Sequence, residues 1–361
     1  MKIYKDLYWL IISLQTLFRA WEIFKSDKRN KSDVATFELN LERNIFDLYM
    51  DLKNGTYKHG PYKGFWIHDP KLRRIHKATV RDRVLHHAVF KVLNPIFEPT
   101  FINDSYSCRI GKGTHKGMKN VAKMVRAVSK NYTHPCYILK CDIKKFFDTV
   151  DHTVLTSILK RKVKDSKVML LIEEIIASYT FDNSALTRER ERESKTLPLF
   201  KIGIPIGNLT SQIFANIYMN EFDQFVKHVM KVKYYARYTD DFVIVSDNRE
   251  YLKHLLPKLQ NFLSKKLKLE LHPKKVMIRK YNRGIDFLGY VILPHHIRLR
   301  TKTKNRMICR LRERTIQYKD DKITESAFQA SIKSYLGVMS HANAYELSQD
   351  ILNMCWYLFK S

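Results

Sequence analysis

The sequence predicts an α+β fold, on three observations. Helical spacing of apolar residues fills the first 60 residues and returns after Asn208 and again over Tyr251–Leu267. Two short runs, Tyr137–Ile143 and Phe242–Val245, are rich in the aromatic and β-branched side chains that suit a pleated, half-buried surface. Tyr234 to Ser246 reads YYARYTDDFVIVS, in which two adjacent aspartates separate two strand-like runs in the manner of an antiparallel hairpin. A chain of 361 residues suits two or three subdomains around a substantial core.

Charge narrows the partners. Lys and Arg number 65 against 36 Asp and Glu, a net charge of +29, while the hydrophobic share of 45% is ordinary. Such an excess implies a polyanion, because neutralising phosphates releases counterions. A merely basic soluble protein is the plainer alternative. The five cysteines show no C-x-x-C spacing, so neither a zinc site nor a disulfide framework is expected and a reducing cytoplasm is the default. The apolar run Tyr8–Leu14 is too short for a membrane span and is followed by Arg19 and Glu22, so no membrane partner is expected.

The elements follow in order. Leu7, Leu10, Ile11, Leu14, Leu17, Phe18 and Trp21 predict one helix. Val34, Phe37, Leu41, Ile45, Leu48 and Leu52 predict a second that stops at Asn54-Gly55. Residues 61–93 begin irregularly, cluster Lys71, Arg73 and Arg74, and continue into a helix closed by Asn94-Pro95. The loop Asp104–His115 is small and basic, and Gly111 and Gly113 let backbone approach a ligand. A strand then ends on Asp142, and Phe147 stands five residues beyond it. Residues 152–200 are helical and then carry the alternating charges of Arg188–Glu193, which suit a solvated edge and are given no function. KIGIPIGNLTSQ (Lys201–Gln212) is a glycine-lined entry to a helix. The hairpin, a helix over Tyr251–Leu267, and Lys274 and Lys275 follow. Ile285–Val291 reads as a strand pair. Arg298, Arg300, Lys302, Lys304, Arg306, Arg310, Arg312 and Arg314 then oppose Glu313 alone, with Ile308 and Leu311 as an apolar side too thin for a membrane surface.

The acids carry the chemistry. Alone, Asp240-Asp241 is most simply a solvated turn. With Asp142 on a second strand, one sheet edge gains oxygen ligands suited to Mg²⁺, which takes one or two carboxylates plus water and phosphate. Two such ions about 3.5–4 Å apart can clamp an in-line phosphoryl displacement.

Y-T-D-D at Tyr238–Asp241 and L-K-C-D-I-K-K-F-F-D at Leu139–Asp148 resemble the two metal motifs of reverse transcriptases, in the family's order and with a glycine-rich segment between them. The resemblance covers roughly residues 60–345. It implies a right-hand polymerase: N-terminal helices and fingers at 1–138, palm at 139–151, a helical insertion at 152–200, palm at 201–297 and a helical thumb at 298–361. It implies two Mg²⁺ ions, with Mn²⁺ as a substitute, held by Asp142, Asp240, Asp241 and the main chain of Ile143. Lys71 and Arg73 would grip the triphosphate, Phe147 would exclude a 2′-hydroxyl, and Lys274 or Lys275 would protonate pyrophosphate. Arg109 and Lys112 would meet template or primer backbone, Gly289 would lie in the primer grip, and Arg298, Arg300, Lys302, Lys304, Arg306 and Arg310 would hold the duplex.

Most of the family has Q-G-x-x-x-S-P where this chain has Ile206-Gly207-Asn208-Leu209-Thr210-Ser211-Gln212. Ile206, Gly207 and Gln212 resemble the reverse transcriptases of diversity-generating retroelements, which implies error-prone copying opposite adenine. The expected partners are template RNA, a cDNA or RNA primer, dNTPs and a small basic accessory protein, in a complex that can be oligomeric. The alternatives are an intron-type or defence-associated enzyme of ordinary fidelity, a non-catalytic RNA binder, and an RNA-templated RNA polymerase.

Overall fold

The computed structural model describes residues 2–68, 72–179 and 202–360, with backbone alone from 354 to 360. Lys71 and the run Arg188–Glu193 lie outside the described residues. The chain forms two compact units that interleave along the sequence. The first comprises Met1–Arg109, Asp142–Lys231 and Pro257–Lys274; the second comprises Ile110–Cys141, Val232–Leu256 and Lys275–Ser361.

The first unit begins with α1 (Tyr8–Ile12), α2 (Leu14–Lys25), α3 (Ser32–Leu39) and α4 (Leu41–Asn54). Each of the two predicted helices is therefore broken once. Ser13 sits at ψ 139° and caps α2, its hydroxyl accepting from the Thr16 amide at 3.3 Å. Asn40 breaks the second, while Gly55 ends it as expected in a left-handed conformation, φ 72°. Hairpin β1 (Lys63–Ile67) and β2 (Arg73–Lys77) leads to α5 (Val80–Phe97). That helix runs through Pro95 rather than stopping before it. Val84, Leu85, Ala88, Val89 and Leu93 on α5 are fully buried. The unit continues with α7 (Phe146–Thr149), α8 (His152–Lys162), α9 (Ser166–Ala177) and α10 (Leu209–Gln224); α10 packs on α5 and α8, and α8 on α9. Tyr218 of α10 ties the interior together: its hydroxyl donates to the Leu267 carbonyl at 2.6 Å and lies 3.4 Å from the Asp151 amide.

The second unit holds α6 (Thr114–Val128) and a four-stranded sheet. Its strands are β3 (Tyr137–Asp142), β4 (Tyr235–Tyr238), β5 (Asp241–Ser246) and β6 (Met277–Lys280), in the order β4-β5-β3-β6. β4 pairs antiparallel with β5, and β3 antiparallel with β6. Met118, Val121, Met124 and Val125 form the buried face of α6, which packs on β4 and β5. The helix α11 (Arg249–Leu267) follows the hairpin. A second antiparallel sheet orders β7 (Ile285–Phe287), β8 (Tyr290–Ile292) and β9 (Ile297–Leu299). The chain closes with α12 (Thr301–Lys319), α13 (Glu325–Met339) and α14 (Tyr345–Lys360). The last three helices share a small core of Met307, Leu311, Phe328, Ile332, Met339 and Ile351. On α12 the inward face is thus Met307 and Leu311, and Ile308 is only half-buried.

Candidate polymerase site

In the first unit one path of backbone bonds joins three segments singled out by sequence. The Ile204 amide donates to the Phe147 carbonyl at 2.8 Å, and the Gly203 amide to Val150 at 2.8 Å. Two residues on, the Ile206 carbonyl accepts from the His76 amide of β2 at 3.1 Å. Gly207 adopts φ 111°, and a Cβ there would lie 2.7 Å from Ile75 Cγ2, so glycine is required twice over. The strand carrying Arg73, the Ile206-Gly207 segment and Phe147 therefore form one wall. Arg73 and Arg74 are exposed, Phe147 and Ile206 half-buried, and Gln212 exposed in the first turn of α10.

Asn208 is the residue that sequence reading underrated. It precedes α10 yet does not cap it. Its side-chain nitrogen donates to the His76 carbonyl at 2.9 Å, and its oxygen accepts from the Ala78 amide at 3.4 Å. The asparagine thus repairs the backbone where β2 leaves the hairpin. His76 itself is held below its ordinary pKa by burial and then by the nearby Arg74 charge, so the ring is neutral at pH 7. Burial raises Asp148, with Lys145 opposing. Burial also pushes Tyr179 up to about 12.

Asp142 closes β3 and is 8% exposed. Beyond it, Ile143 pairs with Leu271 in an isolated antiparallel bridge. The bonds flank that pair: the His272 amide donates to Asp142 O at 2.8 Å, and the Lys144 amide to Glu270 O at 2.8 Å. In such a pair the Ile143 carbonyl points away from Leu271.

In the second unit, β5 begins at Asp241 and is the neighbour of β3, which ends at Asp142. Tyr238 pairs with Asp241 across a two-residue turn of Thr239 and Asp240. Thr239 has φ 54°, a conformation that a β-branched residue adopts only under constraint. The constraint is visible: Arg237, 0% exposed, donates from Nη1 to the Thr239 carbonyl at 2.9 Å. Thr114, first residue of α6, places its hydroxyl 3.5 Å from the Tyr238 hydroxyl. Neither Arg237 nor Thr114 was singled out by sequence. An arginine within an apolar strand is the signal that could have marked the first. Among the described residues no group of three or more His, Cys, Asp and Glu forms a metal cage. An ion here would complete its shell from main-chain oxygen, water or phosphate, as Mg²⁺ commonly does.

The other expected residues divide. Arg109 is spent inside the first unit: Nε meets Glu98 at 2.8 Å, and Nη1 donates to the Ile102 and Ser105 carbonyls at 2.6 and 2.8 Å. Its guanidinium also lies over the Phe101 ring. Lys112 is half-buried in the loop before α6. Lys274 is exposed and Lys275 half-buried, both in a single turn after Leu271. Leu288 and Gly289, at φ 54° and 89°, make the tight turn between β7 and β8. The Arg300 amide donates to the Gly289 carbonyl at 3.0 Å, and Arg300 Nε pairs with Asp286 at 2.8 Å. Arg298, Lys302, Lys304 and Arg310 are exposed and Arg306 is half-buried.

Within the sheet, neighbouring strands carry carboxylates at their ends: Asp142 closes β3 and Asp241 opens β5. Residues 61–292 match the family described as reverse transcriptase (RNA-dependent DNA polymerase), and the chain belongs to that family. Among its relatives, the group II intron-encoded protein LtrA of Lactococcus lactis subsp. cremoris is 25% identical over 316 residues, covering 70% of this chain and 50% of that protein. Protein YkfC of Escherichia coli (strain K12) is 25% identical over 277 residues, covering 67% and 69%. The match therefore spans half the length of LtrA. An apo telomerase from Candida tropicalis aligns in structure with TM-score 0.45 and 13% identity, over 71% of this chain and 60% of that one.

Proposed function

We propose that this chain is an RNA-templated DNA polymerase that copies adenine inaccurately, of the kind that serves diversity-generating retroelements. The reaction is attack of a primer 3′-oxygen on the α-phosphorus of a dNTP. The new phosphodiester forms, the bond to the β-phosphate oxygen breaks, and pyrophosphate leaves. Asp142, Asp240 and the Ile143 carbonyl would hold two divalent cations, Mg²⁺ or Mn²⁺, with Asp241 in support. Bound there, the ions supply charge neutralisation at the attacking and leaving oxygens. The strand order that sets β3 beside β5 supports this, since it brings Asp142 and Asp241 to neighbouring strands.

The chain's own side chains do the rest. Arg73, with Lys71, grips the triphosphate, a planar guanidinium matching phosphate oxygens in pairs. Phe147 lies under the sugar and rejects a 2′-hydroxyl, Gln212 lies beyond the base pair, and Lys274 or Lys275 protonates the departing pyrophosphate. Ile206 carries the inaccuracy: an apolar side chain removes a polar contact to the incoming nucleotide and leaves pairing geometry less tested. Template RNA and primer would run past Lys112, Gly289 and the basic face of α12. A small basic accessory protein would complete the assembly.

Sequencing cDNA copied from an RNA with dispersed adenines tests the accuracy claim. Misincorporation concentrated opposite adenine is expected, and equal error at all four bases removes it. In that case the reading favoured by the LtrA similarity stands, an intron-type enzyme of ordinary fidelity. Asp240→Asn should abolish synthesis while RNA binding persists; retained synthesis would refute the metal assignment.

A further inference from the structure

A groove of about 430 Å³ in the second unit lies between the end of α6, the β8–β9 turn and the loop before α14. We propose that it binds one unpaired nucleotide of a single-stranded nucleic acid. Arg126, Asn131, Tyr132, His295, His296 and Asn343 supply its polar and ring surface. Its volume lies in the range of small-ligand sites.

The hydrogen bonds make the groove rich in donors. Arg126 Nε donates to Asn131 Oδ1 at 2.7 Å, and the Ile297 amide donates to Asn343 Oδ1 at 2.9 Å. Both donors are unambiguous, so each carboxamide oxygen faces a protein donor and, among the described residues, both NH₂ groups are left for a ligand. Arg126 keeps its two terminal nitrogens, since Asn131 is its hydrogen-bond partner among the described residues. Among the described residues no carboxylate lines the groove. The adjoining stretch from Thr114 to Lys130 carries Lys116, Lys119, Lys123, Arg126 and Lys130 without one acid. Such a field selects an anion.

The rings select a base beside that anion. Tyr132 stands edge to His295 with centroids 4.6 Å apart and lies nearly parallel to Tyr281 at 5.8 Å. Lys130, Asn131, Tyr132 and His295 all have left-handed φ, 47°, 57°, 70° and 66°. The cost is met by fixed bonds: the Asn131 amide donates to Arg126 O at 2.9 Å, the Tyr132 amide to Ser129 Oγ at 3.0 Å, and the Tyr281 hydroxyl to Tyr132 O at 2.8 Å. The rings are therefore set before any ligand arrives, which lowers the ordering cost of stacking. The groove is also separate from the primer-grip turn. Leu288-Gly289 lies at one end of β8 and Leu293–His296 at the other, about 10 Å away along the strand at ~3.3 Å per residue.

The test uses the full chain, with and without a hairpin primer–template in the catalytic cleft, and short unstructured RNA or DNA carrying 5-iodouracil. Photo-adducts on Tyr132 or His295 are expected. Adducts with RNA alone assign the groove to an RNA strand, those with DNA alone to a DNA strand, and either supports the proposal. Arg126→Glu and His295→Gly should each weaken binding about tenfold, the scale of losing one stacked or paired nucleotide. His295→Gly relieves a left-handed residue, so folding should survive it. Adducts confined to other residues, or both variants binding within about twofold of the parent, overturn the proposal. So does displacement by polyglutamate as effective as by oligonucleotide, which would mean that the groove reads charge alone. Because binding is read without synthesis, an inactive polymerase leaves the result interpretable.

Discussion

Thr239 shows how much a single residue carries. Its left-handed φ is held by the buried Arg237, and the two acids that follow it inherit that geometry. Thr239→Gly should therefore shift folding stability by no more than about 1 kcal/mol, as strain relief offsets glycine's flexibility. It should nonetheless lower kcat at unchanged Kd for primer–template, as measured by single-turnover extension. Phe147→Ala should raise the kcat/KM ratio of rNTP to dNTP by about 10- to 100-fold, the scale set by one steric contact. The acids were legible because their types, order and strand settings recur together. Arg237 and Asn208 were not, because a side chain that hydrogen-bonds distant backbone leaves no periodic trace in sequence. The carbonyl partners of Arg109, Ile102 and Ser105, were hidden from the sequence for the same reason.

Among elements, α5 governs acid stability. Burial, with the charges of Lys28 and Arg83, pushes His87 down to about 4, and fully buried His86 lies well below its usual value. Both are neutral when folded and take a proton near pH 6.5 when unfolded. Stability is thus fully present above pH 6.5 and falls as pH drops toward 4, because the unfolded chain binds protons that the folded chain does not. Thermal unfolding between pH 4 and 7 should show that decline, and His87→Gln should make it shallower. In the C-terminal helices, Phe328 is fully buried and stacks on Tyr318 at 5.0 Å and 5°. Phe328→Ala should cost about 3–5 kcal/mol there, seen as loss of amide protection in α12 and α13. Helical periodicity revealed most of these elements. It could not reveal the break at Ser13, where a side-chain cap starts a new helix, the break at Asn40, or the passage through Pro95.

For the molecule as a whole, the charge of +29 sets the terms of nucleic-acid binding. The logarithm of affinity should fall linearly with the logarithm of salt concentration, and each lost phosphate contact should reduce the slope by about 0.7–0.9. Arg298→Gln and Lys302→Gln, both at exposed positions, are expected to show this in a salt titration of RNA–DNA duplex binding. The α+β class and the sheet hairpin could be read from the sequence, whereas the interleaving of two units could not, since it depends on which distant segments touch. The carboxamide of Asn208 carries a practical lesson. By bridging the strand that bears Arg73 and the segment that bears Ile206, it makes the two mechanically inseparable. If the proposed roles hold, a substitution at Ile206 should change the KM for dNTP together with copying accuracy, which steady-state kinetics on the same variant would show.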